Sequence, residues 1–276
     1  LDGRTRYLAI RVALRAWLPL GVLLAWAVTA LIGPWLPLQP ERIDLSRILA
    51  TPGPEAWLGC DDLGRSVLDR LAMGARTSFL VALGVVTLSA LIGVFLGGIS
   101  GFIGGWIDLF MLRIIDVFLA FPGILLAIAL AGILGPGIDN VILALSAVGW
   151  VGYARLTRAQ ILSLKQRDHV SAATALGAGR LRILRRHLLP LAMAPLIVEA
   201  SFGVAGTVIA EAGLSFLGLG VQPPAASWGS MLRDGTGYLL VAPHLVLAPG
   251  GAVFLVVFAI NLFGDRLRDE LAVRPG

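Results

Sequence analysis

The stretch from Thr77 to Ile103, TSFLVALGVVTLSALIGVFLGGISGFI, contains no charged side chain. A helix needs about 20 predominantly apolar residues to cross the hydrocarbon core of a bilayer, so this stretch is long enough to do so. The whole chain of 276 residues has the same character, because 57% of it is hydrophobic and 14% is charged. Soluble domains carry about 25% charged residues. The sequence therefore predicts an all-α integral membrane protein.

Six apolar runs, separated by glycine, proline and charged residues, predict six transmembrane helices. They cover residues 16–36, 77–103, 107–133, 139–162, 188–211 and 245–264. Three charged residues, Asp108, Arg113 and Asp116, lie at the start of the third run. Because a charge that faces lipid is costly, these side chains must lie at the membrane interface or face protein.

Basic residues predict the orientation of these helices, because positively charged residues favour the cytoplasmic side of a membrane. Four arginines precede the first run, namely Arg4, Arg6, Arg11 and Arg15. That run is longer than the apolar core of a signal peptide, which has about 7–15 residues, so we expect the first helix to be retained. Six crossings place the C-terminus in the cytoplasm too, together with Arg266, Arg268 and Arg274.

The predicted crossings divide the chain into three parts. Residues 1–36 form an N-terminal cytoplasmic segment and the first transmembrane helix, residues 37–76 form an extracytoplasmic excursion, and residues 77–276 form a five-helix core. Within the core, residues 163–187 form a cytoplasmic loop with many basic residues. Residues 212–244 form an extracytoplasmic loop that is rich in glycine and proline.

Glycines recur every four residues along the second run, at Gly93, Gly97, Gly101 and Gly105. This spacing places them on one face of a helix, where the lack of side chains lets another helix approach closely. We expect that helix to belong to the same chain, and a subunit interface is the alternative.

Motifs for nucleotide or metal chemistry are missing from the sequence. No G-x-x-x-x-G-K-[ST] loop occurs, and Cys60 is the only cysteine. The histidines, His169, His187 and His244, do not have the spacing of metal ligands. We therefore expect no catalytic residue, no metal site and no cofactor in this chain. We also expect no nucleic-acid partner, because the basic residues behind the net charge of +5 cluster beside apolar runs.

Two acidic residues lie in the fifth apolar run or at its end. An acid within a membrane is a functional candidate by default, so we expect Glu199 to face a translocation pathway or another helix. Glu211, near the outer end, is either a pathway residue or an interfacial residue that bonds nearby backbone.

The cytoplasmic loop after the fourth run contains a helix with little side-chain bulk. We expect Asp168 to cap a helix of residues 169–176 and Gly177 to end it. Three alanines leave much of this helix bare, so it is suited to a groove in another protein. The alternative is a solvated turn whose arginines contact anionic lipids.

The same loop resembles the cytoplasmic motif of permease subunits of bacterial ABC importers. That motif reads Glu-Ala-Ala, three residues, Gly, nine residues, Ile, one residue, Leu-Pro. Gly177 and Leu189-Pro190 match it, whereas Ser171 replaces the glutamate and His187 replaces the isoleucine. Similar blocks cover nearly the whole chain, and they resemble the "C" permease subunits of the dipeptide/oligopeptide/nickel group. The blocks are LGCDDLGRSVLDRLAMGARTS (58–78), DVFLAFPGILLAIAL (116–130), GWVGYARLTR (149–158), EAGLSFLGLGVQPPAASWGSML (211–232) and NLFGDRLRDEL (261–271).

The resemblance implies a type I ABC importer permease fold in a bacterial cytoplasmic membrane, with six transmembrane helices and both termini in the cytoplasm. Its implied partners are a homologous "B" permease subunit, two ATPase subunits that bind ATP and Mg, an extracytoplasmic solute-binding protein, the lipid bilayer and a peptide substrate. It also implies that the cytoplasmic loop carries a coupling helix that docks in the ATPase. The implied coupling residues are His169, Ser171, Ala172, Ala173, Leu176, Gly177, Ala178, His187, Leu189 and Pro190.

Other functions stay open from the sequence. Nickel, glutathione or haem are alternative cargoes within the same importer group. A self-sufficient, ion-coupled secondary transporter is an alternative from a different class, and a membrane scaffold without transport is another. A secondary transporter typically has paired halves with broken helices and ion-binding polar groups.

Overall fold

The computed structural model describes residues 3–272, and it describes their side chains from residue 17 to residue 271. This part of the chain is helical and contains no β-strand, as the sequence predicts. The arginines that predict the orientation of the N-terminus, and Arg274, lie outside the described side chains. The α-helices are α1 (Gly3–Ile32), α2 (Val67–Ile103), α3 (Gly105–Leu119), α4 (Gly123–Leu134), α5 (Ile138–Leu164), α6 (Asp168–Ala175), α7 (Arg180–Ile183), α8 (Leu189–Phe216), α9 (Trp228–Thr236) and α10 (His244–Ala272).

Four helical segments of the described chain are long and apolar enough to cross a membrane. They are Trp17–Trp35, Val67–Ile103, Arg180–Phe216 and His244–Leu271. The helices α3 and α4 make a fifth candidate if the pair forms one span. Helix α5, the predicted fourth span, has 27 residues but carries polar residues at both ends. The prediction of an all-α membrane protein is confirmed, and the count of six spans stays a prediction.

The predicted third span, residues 107–133, consists of two helices, and its crossing of the membrane stays a prediction. The axes of α3 and α4 differ by 84°, and the chain breaks between Leu119 and Gly123. Pro122 causes the break, because proline has no N–H to donate and disfavours helical backbone at the residue before it. Pro122 is the residue that precedes the first turn of α4.

The second span begins ten residues before the predicted start at residue 77. Helix α2 has 37 residues, and the Ser66 side chain caps it by accepting a hydrogen bond from the Asp69 N–H. At 1.5 Å per residue the helix is about 55 Å long, which exceeds the hydrocarbon thickness of a bilayer. Its first turns therefore belong to the predicted extracytoplasmic excursion.

Ion pairs tie the start of α2 to the segments that are predicted to be extracytoplasmic. The guanidinium of Arg70 lies 3.5 Å from Asp61 and 3.7 Å from Asp234 of α9. Asp61 also pairs with Arg65 at 2.7 Å. Arg70 is buried, so its position depends on both carboxylates, because a buried charge without partners is strongly destabilising.

Tryptophans hold α1 and α9 against the same end of α2. The indole N–H of Trp26 donates to the Ala75 carbonyl oxygen at 3.1 Å, and that of Trp228 donates to the Leu71 carbonyl oxygen at 3.0 Å. The two indole rings lie 6.2 Å apart within one apolar cluster. This cluster joins α1, α2, α9 and α10 into one packed unit.

Helix α5 packs against α2 along the predicted glycine face. A methyl carbon added at Gly93 would lie 2.6 Å from the carbonyl oxygen of Trp150, and one added at Gly97 would overlap the backbone of Ala154. The two helices therefore touch backbone to backbone, which only glycine allows.

The last two glycines of this repeat differ from each other. A methyl carbon added at Gly101 would lie 2.9 Å from the carbonyl oxygen of Arg158, so Gly101 also faces α5. Gly105 begins α3 with a φ of +61°, and no atom lies within 4 Å of its added methyl carbon. Including Gly105 in the packing face was wrong, because helix α2 ends at Ile103 and the chain turns there.

Candidate functional site

The predicted cytoplasmic loop contains a short helix, α6, from Asp168 to Ala175. Arg167 is its N-cap, and no side chain caps it. The prediction that Asp168 is the capping residue was wrong. Asp168 lies in the first turn instead, where a carboxylate interacts favourably with the positive end of the helix dipole.

Gly177 ends this helix in a left-handed conformation, with a φ of +81°. The Ala178 N–H donates to the Ala173 carbonyl oxygen, and the Gly177 N–H donates to the Thr174 carbonyl oxygen, both at 3.0 Å. These two bonds form a Schellman motif, which satisfies carbonyl groups that the helix end leaves free. A left-handed residue at this position favours glycine strongly.

One face of α6 holds it against the transmembrane helices, and the rest is exposed. Val170 is buried together with Ile183 of α7, in a cluster that includes Ile161 of α5 and Leu188. Leu176 is 89% exposed, although it is a large apolar residue. Ser171, Ala172, Ala175 and Gly177 are also exposed, and Ala173 and Ala178 are partly exposed. The loop therefore presents a small-residue surface with one apolar side chain.

A π-helical turn, Leu184–Leu188, joins α7 to α8. The Leu189 N–H reaches back to the Leu184 carbonyl oxygen, one residue further than in an α-helix. This wider turn precedes Pro190, whose missing N–H and bulky ring would disturb a regular α-helical turn. His187 lies in the turn, and its ring is 6.4 Å from that of His169 on α6. The predicted coupling residues thus lie on two adjoining segments.

Asp108, at the start of the third run, faces protein, whereas the side chains of Arg113 and Asp116 are exposed. The carboxylate of Asp108 accepts hydrogen bonds from the Arg158 guanidinium at 2.5 and 2.7 Å and from the Ser100 hydroxyl at 2.6 Å. Lys165 donates to the Phe102 carbonyl oxygen at 2.8 Å, at the end of α2. These contacts fix the ends of α2 and α5 that lie nearest to α6.

Glu211 is enclosed between helices, with 1% of its surface exposed. Its carboxylate accepts a hydrogen bond from the Ser78 hydroxyl of α2 at 2.9 Å and from the Ser215 hydroxyl at 2.7 Å. The expectation of an interfacial residue that bonds backbone was wrong, because its partners are hydroxyl groups. At this burial Glu211 joins α8 to α2, and its role in a translocation pathway stays a prediction.

Glu199 lies on a cavity of about 260 Å³ between α2, α4, α5 and α8. Ser89 of α2 and Tyr153 of α5 line the same cavity. Apolar residues and glycines form most of the remaining surface. Sequence reasoning missed Ser89 and Tyr153, since single polar residues within apolar helices give no periodic signal. Both residues lie opposite a glycine of another helix. That pattern becomes visible only when it is known which helices pack together.

Several transport permeases are similar in sequence to most of this chain. Residues 93–273 match the family described as "Binding-protein-dependent transport system inner membrane component". The dipeptide transport system permease protein DppC of Alkalihalophilus pseudofirmus is 43% identical over 82% of this chain and 74% of its own length. The glutathione transport system permease protein GsiD of Pectobacterium atrosepticum is 40% identical over 96% of this chain and 88% of its own. The nickel transport system permease protein NikC of Escherichia coli is 40% identical over 86% of each.

A solved structure has a similar fold. A chain of the MetNI methionine ABC transporter, in an inward-facing conformation, superposes with a TM-score of 0.56 and 20% identity. The match covers 73% of this chain and 95% of that one. The likeness concerns the fold, and the family assignment rests on the matched residues and the relatives. This chain belongs to the family of inner membrane components of binding-protein-dependent transport systems.

Proposed function

We propose that this chain is a transmembrane permease subunit of an ATP-driven ABC importer that moves di- and oligopeptides across a bacterial cytoplasmic membrane. The family assignment and the apolar helices support a multi-pass permease. The peptide cargo is supported by the relative named for dipeptide transport, at 43% identity. Nickel and glutathione are alternative cargoes, because relatives named for them are 40% identical, and haem is another alternative.

The surface of α6 is the observation that carries this proposal. The helix is anchored by Val170 and offers Ser171, Ala172 and Leu176 outward. A single exposed apolar side chain is common on protein surfaces, so the support comes from Leu176 lying beside a helix face without bulk. The lack of bulk on the rest of this surface permits close backbone approach. We infer that α6 is the coupling helix and that it inserts into a groove of a cytoplasmic ATPase subunit.

The remaining partners follow from this assignment. A homologous "B" permease subunit completes the translocation pathway, and two ATPase subunits bind ATP and Mg. A solute-binding protein delivers the cargo on the outer side. Closure of the ATPase subunits would move α6, and the anchor at Val170 and Ile183 would transmit that movement to α5 and α8. In this proposal the chain has no catalytic residue and no cofactor of its own.

A crosslink from α6 tests the docking role. Cys60 is the only cysteine and is buried, so Cys60→Ser gives a background without cysteine. Ala173→Cys in that background, carrying a photoactivatable crosslinker in native membranes, is expected to capture an ATPase subunit. Leu240→Cys is the matched control, since Leu240 is 98% exposed and lies outside the cytoplasmic loop, before α10. Capture of only lipid or of the solute-binding protein by Ala173→Cys would contradict the proposed docking and topology.

A further inference from the structure

Three polar side chains around the cavity each lie opposite a glycine of a neighbouring helix. A methyl carbon added at Gly203 of α8 would lie 2.6 Å from the hydroxyl oxygen of Tyr153 on α5. Here the glycine is on α8 and the polar group is on α5, and the next pair has the opposite arrangement. A methyl carbon added at Gly152 of α5 would lie 3.2 Å from the Glu199 carboxylate on α8. The glycines therefore make room for polar groups at the crossing of α5 and α8.

The third polar group completes the same arrangement on α2. A methyl carbon added at Gly149 of α5 would lie 2.6 Å from the Ser89 hydroxyl oxygen. Glycine at all three positions keeps these polar groups beside the cavity, whereas a larger residue would displace each of them. The cavity thus has three hydroxyl groups and one carboxylate within a mostly apolar surface, and the Thr207 hydroxyl already donates to the Gly203 carbonyl oxygen.

The polar groups of this cavity have few partners within the chain. The hydroxyl groups of Ser89 and Tyr153 are buried and make no hydrogen bond. No ion pair with Glu199 occurs among residues 17–271, whose side chains are described. Buried polar groups without partners are rare in folded proteins and are costly, so each calls for an explanation. Glu199, an acidic residue within a predicted transmembrane helix, requires an explanation as well.

We propose that this cavity binds the ammonium group of the cargo on its way through the membrane. An ammonium group has three N–H donors and a positive charge. The Glu199 carboxylate supplies the opposite charge, and a small side-chain rearrangement would add the unpartnered Tyr153 and Ser89 hydroxyl oxygens, which are buried at the cavity wall, as further acceptors. Pairing with the carboxylate offsets the cost of removing the charge from water. This proposal rests on the proposed function, because a peptide with a free N-terminus carries such a group.

A reporter cysteine in the cavity wall tests the proposal in the complete transporter. Gly206 lines the cavity, and no atom of this chain lies within 4 Å of its added methyl carbon, so the first side-chain carbon of Gly206→Cys meets no clash. The double variant Cys60→Ser, Gly206→Cys is assembled with its permease partner and ATPase subunits in vesicles. The measured quantity is the rate at which a maleimide labels the cysteine, with and without a dipeptide or its N-acetylated form.

The dipeptide is expected to slow labelling at least about fivefold, and the N-acetylated dipeptide is expected to leave the rate unchanged. Adding Glu199→Gln keeps the side-chain shape and removes the charge. It should raise the dipeptide concentration for half-protection about tenfold or more, as for the loss of a charge-assisted hydrogen bond. Tyr153→Phe removes only a hydroxyl group that has no partner, and it should raise the same concentration about threefold to tenfold.

Equal protection by both peptides, or protection that survives Glu199→Gln, would overturn the proposal. The same holds if the dipeptide does not slow labelling in the chain with Glu199. A Glu199 held by a lysine of the partner permease would give this last result. Dipeptide import by the same vesicles is measured in parallel. Import without Glu199-dependent protection contradicts this inference alone, whereas loss of ATP-driven import for every peptide contradicts the proposed function.

Discussion

Gly97→Ala is expected to lower the melting temperature of the purified protein by about 10 °C. The added methyl group would overlap the backbone of Ala154, which no side-chain rotation can relieve. Overpacking of a tight contact costs about 1–3 kcal/mol and occasionally more, and we expect the upper end because both surfaces are backbone. At this chain length, each kcal/mol corresponds to about 2–4 °C. Thermal unfolding in detergent, followed by light scattering, measures the change.

Gly98→Ala is the matched control for this change. It adds the same methyl group to the next residue of α2, where no atom lies within 4 Å. Alanine favours a helix over glycine by about 1 kcal/mol, so the control should melt at the same temperature as the original protein or slightly above it. Equal melting temperatures for the two variants would contradict the close approach of α2 and α5.

Gly177→Val is expected to lower the peptide imported per ATP hydrolysed at least about tenfold, with the permease still in the membrane. Gly177 has a φ of +81°, which a β-branched residue rarely adopts, so the Schellman end of α6 would be strained by about 1–3 kcal/mol. The new side chain meets no atom of this chain within 4 Å of its first carbon, so the folded core should tolerate it. The substitution would therefore disturb the contact between α6 and the ATPase subunit rather than the folding of the permease.

Gly177→Asn separates backbone strain from added bulk. Asparagine tolerates the left-handed conformation better than other residues with a side chain, and its size is similar to that of valine. It should preserve the helix end and retain more coupling than Gly177→Val. Membrane yield and ATP hydrolysis are measured for both variants. An unchanged ratio of import to hydrolysis in Gly177→Val would count against α6 as the coupling helix.

Features fixed by local chemistry could be predicted from the sequence. Gly177 ends α6 because a left-handed C-terminal residue favours glycine wherever a helix stops. Gly93, Gly97 and Gly101 face another helix because a four-residue spacing places them on one side. Both signals depend on neighbouring residues alone. For that reason both features can be predicted without knowledge of the tertiary structure.

Features that depend on distant residues could not be predicted. The first turns of α2 contain charged residues, so hydropathy does not identify them as part of the helix. Arg70 is nevertheless buried there, because Asp61 and Asp234 pair with it. The break before Gly123 was missed, because the apolar run continues across Pro122 and hydropathy does not register a change of direction. The cavity could not be predicted either, because Ser89 and Tyr153 are recognised as its polar groups only when the glycines opposite them on other helices are known.

Reconstituted import tests the central claim most directly. Vesicles contain this chain, its partner permease, the ATPase subunits and the solute-binding protein, and a labelled dipeptide is added outside. The account predicts that the dipeptide accumulates only with ATP and Mg on the ATPase side, and that excess nickel, glutathione or haem does not compete. Accumulation by this chain alone, driven by an ion gradient, would contradict an ABC permease. ATP-driven accumulation of another cargo instead of the dipeptide would contradict the peptide assignment.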